Sequence, residues 1–271
     1  MVRFSIGLLI RERARRSVLA RSDEVPMLDT LAPHGASVFV ALADTPASRK
    51  LHYQLRYQVY CRKLAYEDPA RFPDGEEHDQ YDEHAVHFLA FDRRRGDWVG
   101  TLRLVHPGPA GLPLASVAGL SSSIGQLINR ERVLEISRMC IHTSGVAGGA
   151  QNSYESIDAA FRAAPLVFFA LVRASVAYAF QAGMSHLAFL TAPSLLRLLR
   201  RLGIHQVPAG DACVHRGLRY PRVLDVAGEF RHLIEKLHHH PLSPHIPIEP
   251  YQLYSSLMSE MSSRAVRFAV G

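Results

Sequence analysis

The ionisable residues of this chain gather at a few places. Glu76-Glu77-His78-Asp79-Gln80-Tyr81-Asp82-Glu83-His84-Ala85-Val86-His87 holds five acids and three histidines. Three readings are open to it. It is a solvated acidic loop, or a metal site on His78, His84 and His87, since imidazole and carboxylate both ligate metals. The third reading is a carboxylate cluster that serves buried arginines. The spacing matches no H-E-x-x-H motif and the flanks lack a helical pattern, so no metal is expected.

The arginines of the apolar segments are the natural partners. Arg103 alternates with Leu102 and Leu104, on a face expected to include Val99, Thr101 and Val105. A guanidinium on such a face requires a carboxylate, because burying it alone is very costly. Arg56 lies beside the stripe Leu51, Leu55 and Val59, one turn from His52 and Tyr60. The run Val133 to Ile141 adds Glu135 and Arg138. Ideal alternation puts Glu135, Ser137 and Met139 on one face and Ile136, Arg138 and Cys140 on the other. A bulge would change that relation and free a backbone N–H.

The elements that must position these groups follow from hydrophobic pattern. Ser37 to Asp44 is a β-branched and apolar run, hence a strand. Thr45 is suited to an N-cap and Pro46 to a first helical turn, which predicts a helix to about Leu64. Glu67 to Glu83 is a long polar loop, and loops of this length in compact domains tend to be functional. His87–Asp92 and Trp98–Val105 form a hairpin around Arg93 to Asp97, and Val133–Ile141 is a further strand. Pro165–Gln181 is a strongly apolar helix, either core or the wall of an apolar pocket, stopped by Gly183. A strand at His186–Ala192, a short helix at Ser194–Leu202 and strands near Gln206 and Ala212–His215 come next. From Glu229 the tail reads as two amphipathic helices split by a Pro-rich loop. A helix-interrupted sheet with a meander in its middle is an α/β or α+β three-layer sandwich.

Composition narrows the class. The 271 residues are 48% hydrophobic and 21% charged, as in an ordinary globular enzyme. The net charge of +6 favours acidic partners. No nucleic-acid-binding motif supports nucleic acid as one of them. Cys61, Cys140 and Cys213 form no C-x-x-C pair, which fits a reducing cytoplasm. Cys140 reads as core or as a nucleophile. Phe4 to Ile10 is too short to span a bilayer, and Arg11, Arg13, Arg15 and Arg16 follow rather than precede it. Residues 1–34 are therefore a basic arm, with peripheral contact to an anionic membrane as the sharper alternative. Residues 35–228 form the catalytic domain and 229–271 a helical tail.

Four segments in order resemble a known family. Arg56-Tyr57-Gln58-Val59-Tyr60, Glu77-x-Asp79-x-Tyr81-Asp82, Gly100-Thr101-Leu102-Arg103-Leu104 and Glu135-Ile136-Ser137-Arg138 are similar to the signature of acyl-homoserine-lactone (autoinducer) synthases. The chain is more similar still to the related N-acyl amino acid synthases and to acyltransferases associated with PEP-CTERM/exosortase systems. Phe72-Pro73-Asp74-Gly75-Glu76-Glu77 and Arg216-Gly217-Leu218-Arg219-Tyr220-Pro221 carry that second likeness, and the whole resemblance spans about Val38 to Pro221.

The resemblance implies a GNAT-like fold and transfer of a fatty acyl group from a carrier-protein or CoA thioester to a small amine, with no tightly bound cofactor. Arg56, Asp79, Asp82 and Arg103 match the family's charged cluster, with Tyr81 and Ser137 beside it. Glu135 matches the group that activates the amine, and Arg138 its partner. Backbone N–H groups at Met139 or Cys140 would serve the oxyanion. Gly145, Gly148 and Gly149 fall where a pantetheine loop belongs, without its usual form. The only tryptophan, Trp98, lies in a hairpin rather than after the first arginine helix, which favours N-acylation over lactone formation. Arg197, Arg200 and Arg201 form a basic edge suited to an acidic acyl carrier protein. The alternatives are a non-catalytic acyl-ligand sensor on the same fold and the metal-dependent enzyme above.

Overall fold

A computed structural model of the protein describes residues 38–129, 132–142, 165–228 and 235. The basic arm, Gly145, Gly148 and Gly149 lie outside the described residues, as does the tail apart from Glu235.

The expected strand and helix at the start are present. β1 is Val38–Leu42 and α1 is Pro46–Tyr57. Thr45 caps α1 with a capping box, its hydroxyl accepting the Ser48 N–H at 3.1 Å. The helix then widens to a π-helix over Gln58–Lys63, so the predicted end near Leu64 holds while its last turn changes type. π-turns of this kind are frequent at functional sites.

β2 (Ala85–Asp92) and β3 (Asp97–Val105) form the hairpin, and α2 (Ser122–Asn129) precedes β4 (Val133–Ile141). After α3 (Pro165–Gln181) come β5 (His186–Thr191), α4 (Pro193–Arg201), β6 (Val207–Pro208), β7 (Cys213–Val214) and β8 (Leu218–Asp225). The sheet order is β1-β2-β3-β4-β5-β8-β6, with β7 on β8, and only β4 and β5 run parallel.

α2 and β8 were not expected from the sequence. β8 contains Pro221, which lacks a ladder N–H and breaks the strand pattern. The Pro221 carbonyl still accepts the Ala209 N–H at 3.0 Å, and the residue sits opposite Leu190.

Two faces of the sheet have different work. On one, Leu102, Leu104, Phe88 and Leu134 pack against Val167, Phe169, Leu171 and Ala174 of α3, with Leu195 and Leu199 of α4. α3 is therefore core, the alternative to the wall of an apolar pocket. It lies so close that a Cβ on Gly100 would meet Val167 Cγ1 at 2.8 Å. On the other face, Leu51 and Leu55 of α1 cover Phe39, Leu89, Phe91 and Trp98. The result is the expected three layers.

Bulges decide which side chain meets which layer. Ala90 pairs with Gly100 and Phe91 with Trp98, leaving Val99 as the extra residue. Val99 therefore joins the α3 side rather than the Arg103 face assigned to it by alternation. A second bulge sits in β4, where Thr101 pairs with Cys140 and Arg103 with Ser137.

A candidate active site on the second bulge of the sheet

The β4 bulge gives Arg138 a left-handed backbone, φ 48°. Alternation resets across it. Leu134, Ile136, Met139 and Ile141 turn to the α3 core, while Cys140 packs with Val59 and Tyr60. The ideal pattern placed Met139 with Glu135 and opposed Arg138 to Glu135. The extra residue moves Met139 away and brings Arg138 onto the face that carries Ser137. Two hydroxyls hold the distorted backbone: Thr101 Oγ1 donates to the Arg138 carbonyl at 3.0 Å, and Tyr60 Oη to the Met139 carbonyl at 3.0 Å. Tyr60 comes from the π-helix, which explains that turn's position. Removing its hydroxyl in Tyr60→Phe leaves the Met139 carbonyl without this donor. It should destabilise the protein by about 1–2 kcal/mol, read as a lower urea midpoint with an unchanged m-value.

Around the bulge the predicted ion cluster assembles. Arg56 and Arg103 are fully buried. Arg56 donates to Glu77 Oε2 at 2.5 Å and to Asp82 Oδ1 at 2.7 Å. Arg103 donates to Asp82 Oδ1 at 2.8 Å, to Asp79 Oδ1 at 2.6 Å and to Ser137 Oγ at 3.0 Å. Asp82 also accepts the Asp79 N–H at 2.7 Å. Arg138 reaches Glu77 at 3.0 Å and Asp79 at 3.1 Å, and lies 5.5 Å over the Tyr60 ring. Burial opposes ionisation of Asp82, but Arg56 and Arg103 overcome it and hold the carboxyl far below its ordinary range. For Glu77, burial is likewise overcome by Arg56 and Arg138. The polar loop is thus ordered by buried charge pairs, the third of the readings left open by its sequence.

Glu135 differs from these carboxylates. It is 3% exposed and has no guanidinium within ion-pair distance among the described residues. Its Oε2 accepts the Leu114 N–H at 2.8 Å. Burial pushes it up to about 8, and the Leu114 bond and the charge of Arg103 offset this only in part. Three carboxylates, Glu77, Asp79 and Asp82, held as anions by guanidinium groups beside a fourth that is raised to about 8 is the division of roles expected of a site with one proton acceptor. Cys140 is buried and its thiol is pushed up to about 11 by that burial, which disfavours a thiolate nucleophile.

β4 and β5 pair only from Val133–His186 to Ile136–Phe189. Beyond that point β4 stays with β3 and β5 stays with β8, so the parallel pair opens where Ser137, Arg138 and Met139 lie.

The other predicted residues are placed as follows. Tyr81 donates its N–H to Asp79 Oδ1 at 2.9 Å and packs against the apolar cluster of Val105 and Leu114. Arg197, Arg200 and Arg201 are exposed on α4. His78 and His87 both lie against the Tyr53 ring, at 5.9 and 5.7 Å. His87 meets His52 edge to face at 4.7 Å, His78 lies 6.0 Å from Phe72, and a Cβ on Gly108 would meet His84 Cδ2 at 2.7 Å. No group of three or more His, Cys, Asp or Glu among the described residues is arranged to hold a metal ion. No described helix is long and apolar enough to cross a membrane.

Sequence reasoning missed Glu67 and Arg216. They form an ion pair, and Glu67 also meets Arg71 at 3.1 Å and Arg138 at 3.4 Å. The positions were inside quoted segments, but no local signal joins residues so far apart in the chain.

Residues 55–147, which hold the ion cluster, the bulge and Glu135, match the acetyltransferase (GNAT) domain family. The chain has a GNAT-like α/β fold. The fold is shared with BjaI, a CoA-dependent acyl-homoserine lactone synthase solved with SAM and isopentyl-CoA. The TM-score is 0.51 at 21% identity, over 75% of this chain and 88% of that one. The same synthase with MTA gives 0.50 at 22% identity, over 75% and 88%. FeeM, an N-acyl amino acid synthase from uncultured soil microbes, gives 0.46 at 15% identity, over 78% and 99%. No curated protein sequence matches the chain.

Proposed function

We propose that this protein transfers a fatty acyl group from a thioester to the amine of an amino acid or similar small amine. The observation that carries the reading is Glu135, a buried carboxyl raised to about 8, on the strand whose bulge sits at the opening between β4 and β5. An amine attacks a thioester carbonyl only when unprotonated, and a carboxylate of this basicity takes its proton directly or through a water. The bulge supplies a backbone N–H, at Met139 or Cys140, for the oxyanion of the tetrahedral intermediate. Collapse of that intermediate expels the thiol. No covalent enzyme intermediate is needed, in keeping with the protonated Cys140. The Arg56–Asp82–Arg103 network holds the loop, and Arg138 faces the acceptor with bidentate geometry available.

The donor is an acyl carrier protein or CoA thioester; BjaI holds isopentyl-CoA on this fold. The basic edge Arg197, Arg200 and Arg201 favours the acidic carrier, and the cysteines fit a cytoplasmic setting. Reversing these three charges to Glu should raise KM for carrier-bound donor on the order of tenfold, since exposed pairs contribute up to about 1 kcal/mol each. The fold and turnover from acyl-CoA should be spared; unchanged carrier kinetics would remove the carrier from this face.

The reaction itself is tested by mass spectrometry. Purified protein is incubated with long-chain acyl carrier protein or acyl-CoA and a pool of amino acids, with Glu135→Ala alongside. A new N-acyl species that is lost in the variant supports the reading. Absence of product with every donor favours the acyl-ligand sensor instead, which native mass spectrometry would reveal as a bound lipid.

A further inference from the structure

The stretch Arg216 to Pro221 has no part in the transfer chemistry described above. Cys213 pairs with Arg219 and Val214 with Leu218, so residues 215–217 are the tip of the β7–β8 hairpin. Arg216 sits there at φ 53°. Glycine or asparagine adopts that backbone with less strain, so the arginine is paid for by its side chain.

The guanidinium lies 5.3 Å over the Tyr66 ring and pairs with Glu67. Glu67 Oε1 is also met by Arg138 Nη2 at 3.4 Å. One carboxylate oxygen therefore bridges a guanidinium from the β4 bulge and one from the hairpin. Arg56 and Arg103 have no side-chain exposure and are consumed by their carboxylates. Arg138 and Arg216 keep 16% and 22%. With the exposed Arg71, which takes the other oxygen of Glu67, they are the arginines of the cluster that a molecule entering the cleft can touch. Arg216 makes a single hydrogen bond among the described residues, so donors of its fork remain for a ligand. Three arginines share Glu67. Beside them the His215 imidazole is held below its ordinary value by burial and then by Arg216, Arg138 and Arg219, a sign of positive potential at the tip.

A small anion fits this fork. On the reading above, on which the inference rests, the acceptor is an amine. An α-amino acid carries its carboxylate on the carbon that bears the amine. Bound to the fork, it keeps the amine beside β4, the strand of Glu135. We propose that Arg216 and Arg138 bind the carboxylate of the acceptor, so that the enzyme selects free α-amino acids over amines that lack it.

The test uses the full chain, the proteinogenic L-amino acids and their carboxamides. Arg216→Gly and Arg216→Asn suit the left-handed backbone and remove the guanidinium; Arg216→Lys keeps the charge. For the wild type the amino acid should be preferred over its amide. In Arg216→Gly and Arg216→Asn, KM for the amino acid should rise roughly 10- to 100-fold, kcat should change little, and the amide should be handled as before. Arg216→Lys should recover part of the loss. Equal losses for acid and amide, or no preference in the wild type, would overturn the proposal.

Calorimetric binding of the same compounds without donor separates the two readings. If the wild type binds the acid over the amide, Arg216→Gly loses that binding and no thioester is ever turned over, the anion site stands and the transfer reading falls. If acyl transfer proceeds while Arg216→Gly binds the acid like the wild type, the transfer reading stands and the anion site falls.

Discussion

Glu135→Gln should lower kcat by about 10²- to 10⁴-fold, the usual contribution of a positioned general base. Glutamine keeps the shape and an oxygen to accept the Leu114 N–H, so the fold should survive. The wild-type rate should rise with pH through about 8 as Glu135 loses its proton. The variant should retain only the rise that belongs to the substrate amine. Stability moves in the opposite sense. The folded-state value of Glu135 lies above its ordinary 4.5, so the folded state binds this proton more tightly than the unfolded chain. Its contribution is complete below about pH 4.5 and is lost as pH rises through about 8. Glu135→Gln should therefore unfold at higher denaturant than the wild type above pH 8. A variant that keeps full turnover with an unaltered pH profile would remove Glu135 from the mechanism.

The second large effect is expected at Asp82. Its carboxylate joins Arg56 and Arg103, and the two guanidinium groups are fully buried. Asp82→Asn leaves Arg56 with Glu77 and Arg103 with Asp79, each short of its shared anion. Breaking a buried pair from one side costs about 3–5 kcal/mol, because the remaining charge is left uncompensated. Urea unfolding should show that loss; a change below about 1 kcal/mol would mean that water enters and solvates the cluster.

Acid should act through the same groups. Asp82 is ionised in the folded state well below its ordinary 3.8, so its stabilisation is present above that value and falls steadily as pH drops beneath it. His87, held down to about 4 chiefly by burial, adds to the loss earlier. The unfolded chain takes up that proton near 6.5 while the folded chain does so only near 4, so stability begins to decline below pH 6.5. In Asp82→Asn the decline below pH 4 should be shallower, since that carboxyl no longer titrates.

Much of this architecture is written locally. Thr45-Pro46 starts a helix because a hydroxyl cap and a fixed φ act within one turn, and α1 begins there. The need of Arg56 and Arg103 for carboxylates followed from their apolar neighbours, and the acids at Asp79 and Asp82 supply them. The strand pattern grouped Glu135 with Arg138 as a further buried charge, and only the family resemblance singled it out.

Other features depend on which strands meet. Alternation alone separates Glu135 from Arg138 and assigns Val99 to the Arg103 face. Two bulges reverse both, and a bulge is defined by the partner strand's register rather than by its own sequence. β8 was hidden because Pro221 breaks its pattern, and pairing with β5 supplies what propensity does not. Arg216 and Glu67 are 149 residues apart, beyond any local period. The sequence by itself determined the segments and the charges that must be neutralised, since propensity and desolvation act on neighbouring residues. Only the tertiary structure decided which charges face one another and which carboxyl is left without a guanidinium, because both depend on register and burial set by distant parts of the chain.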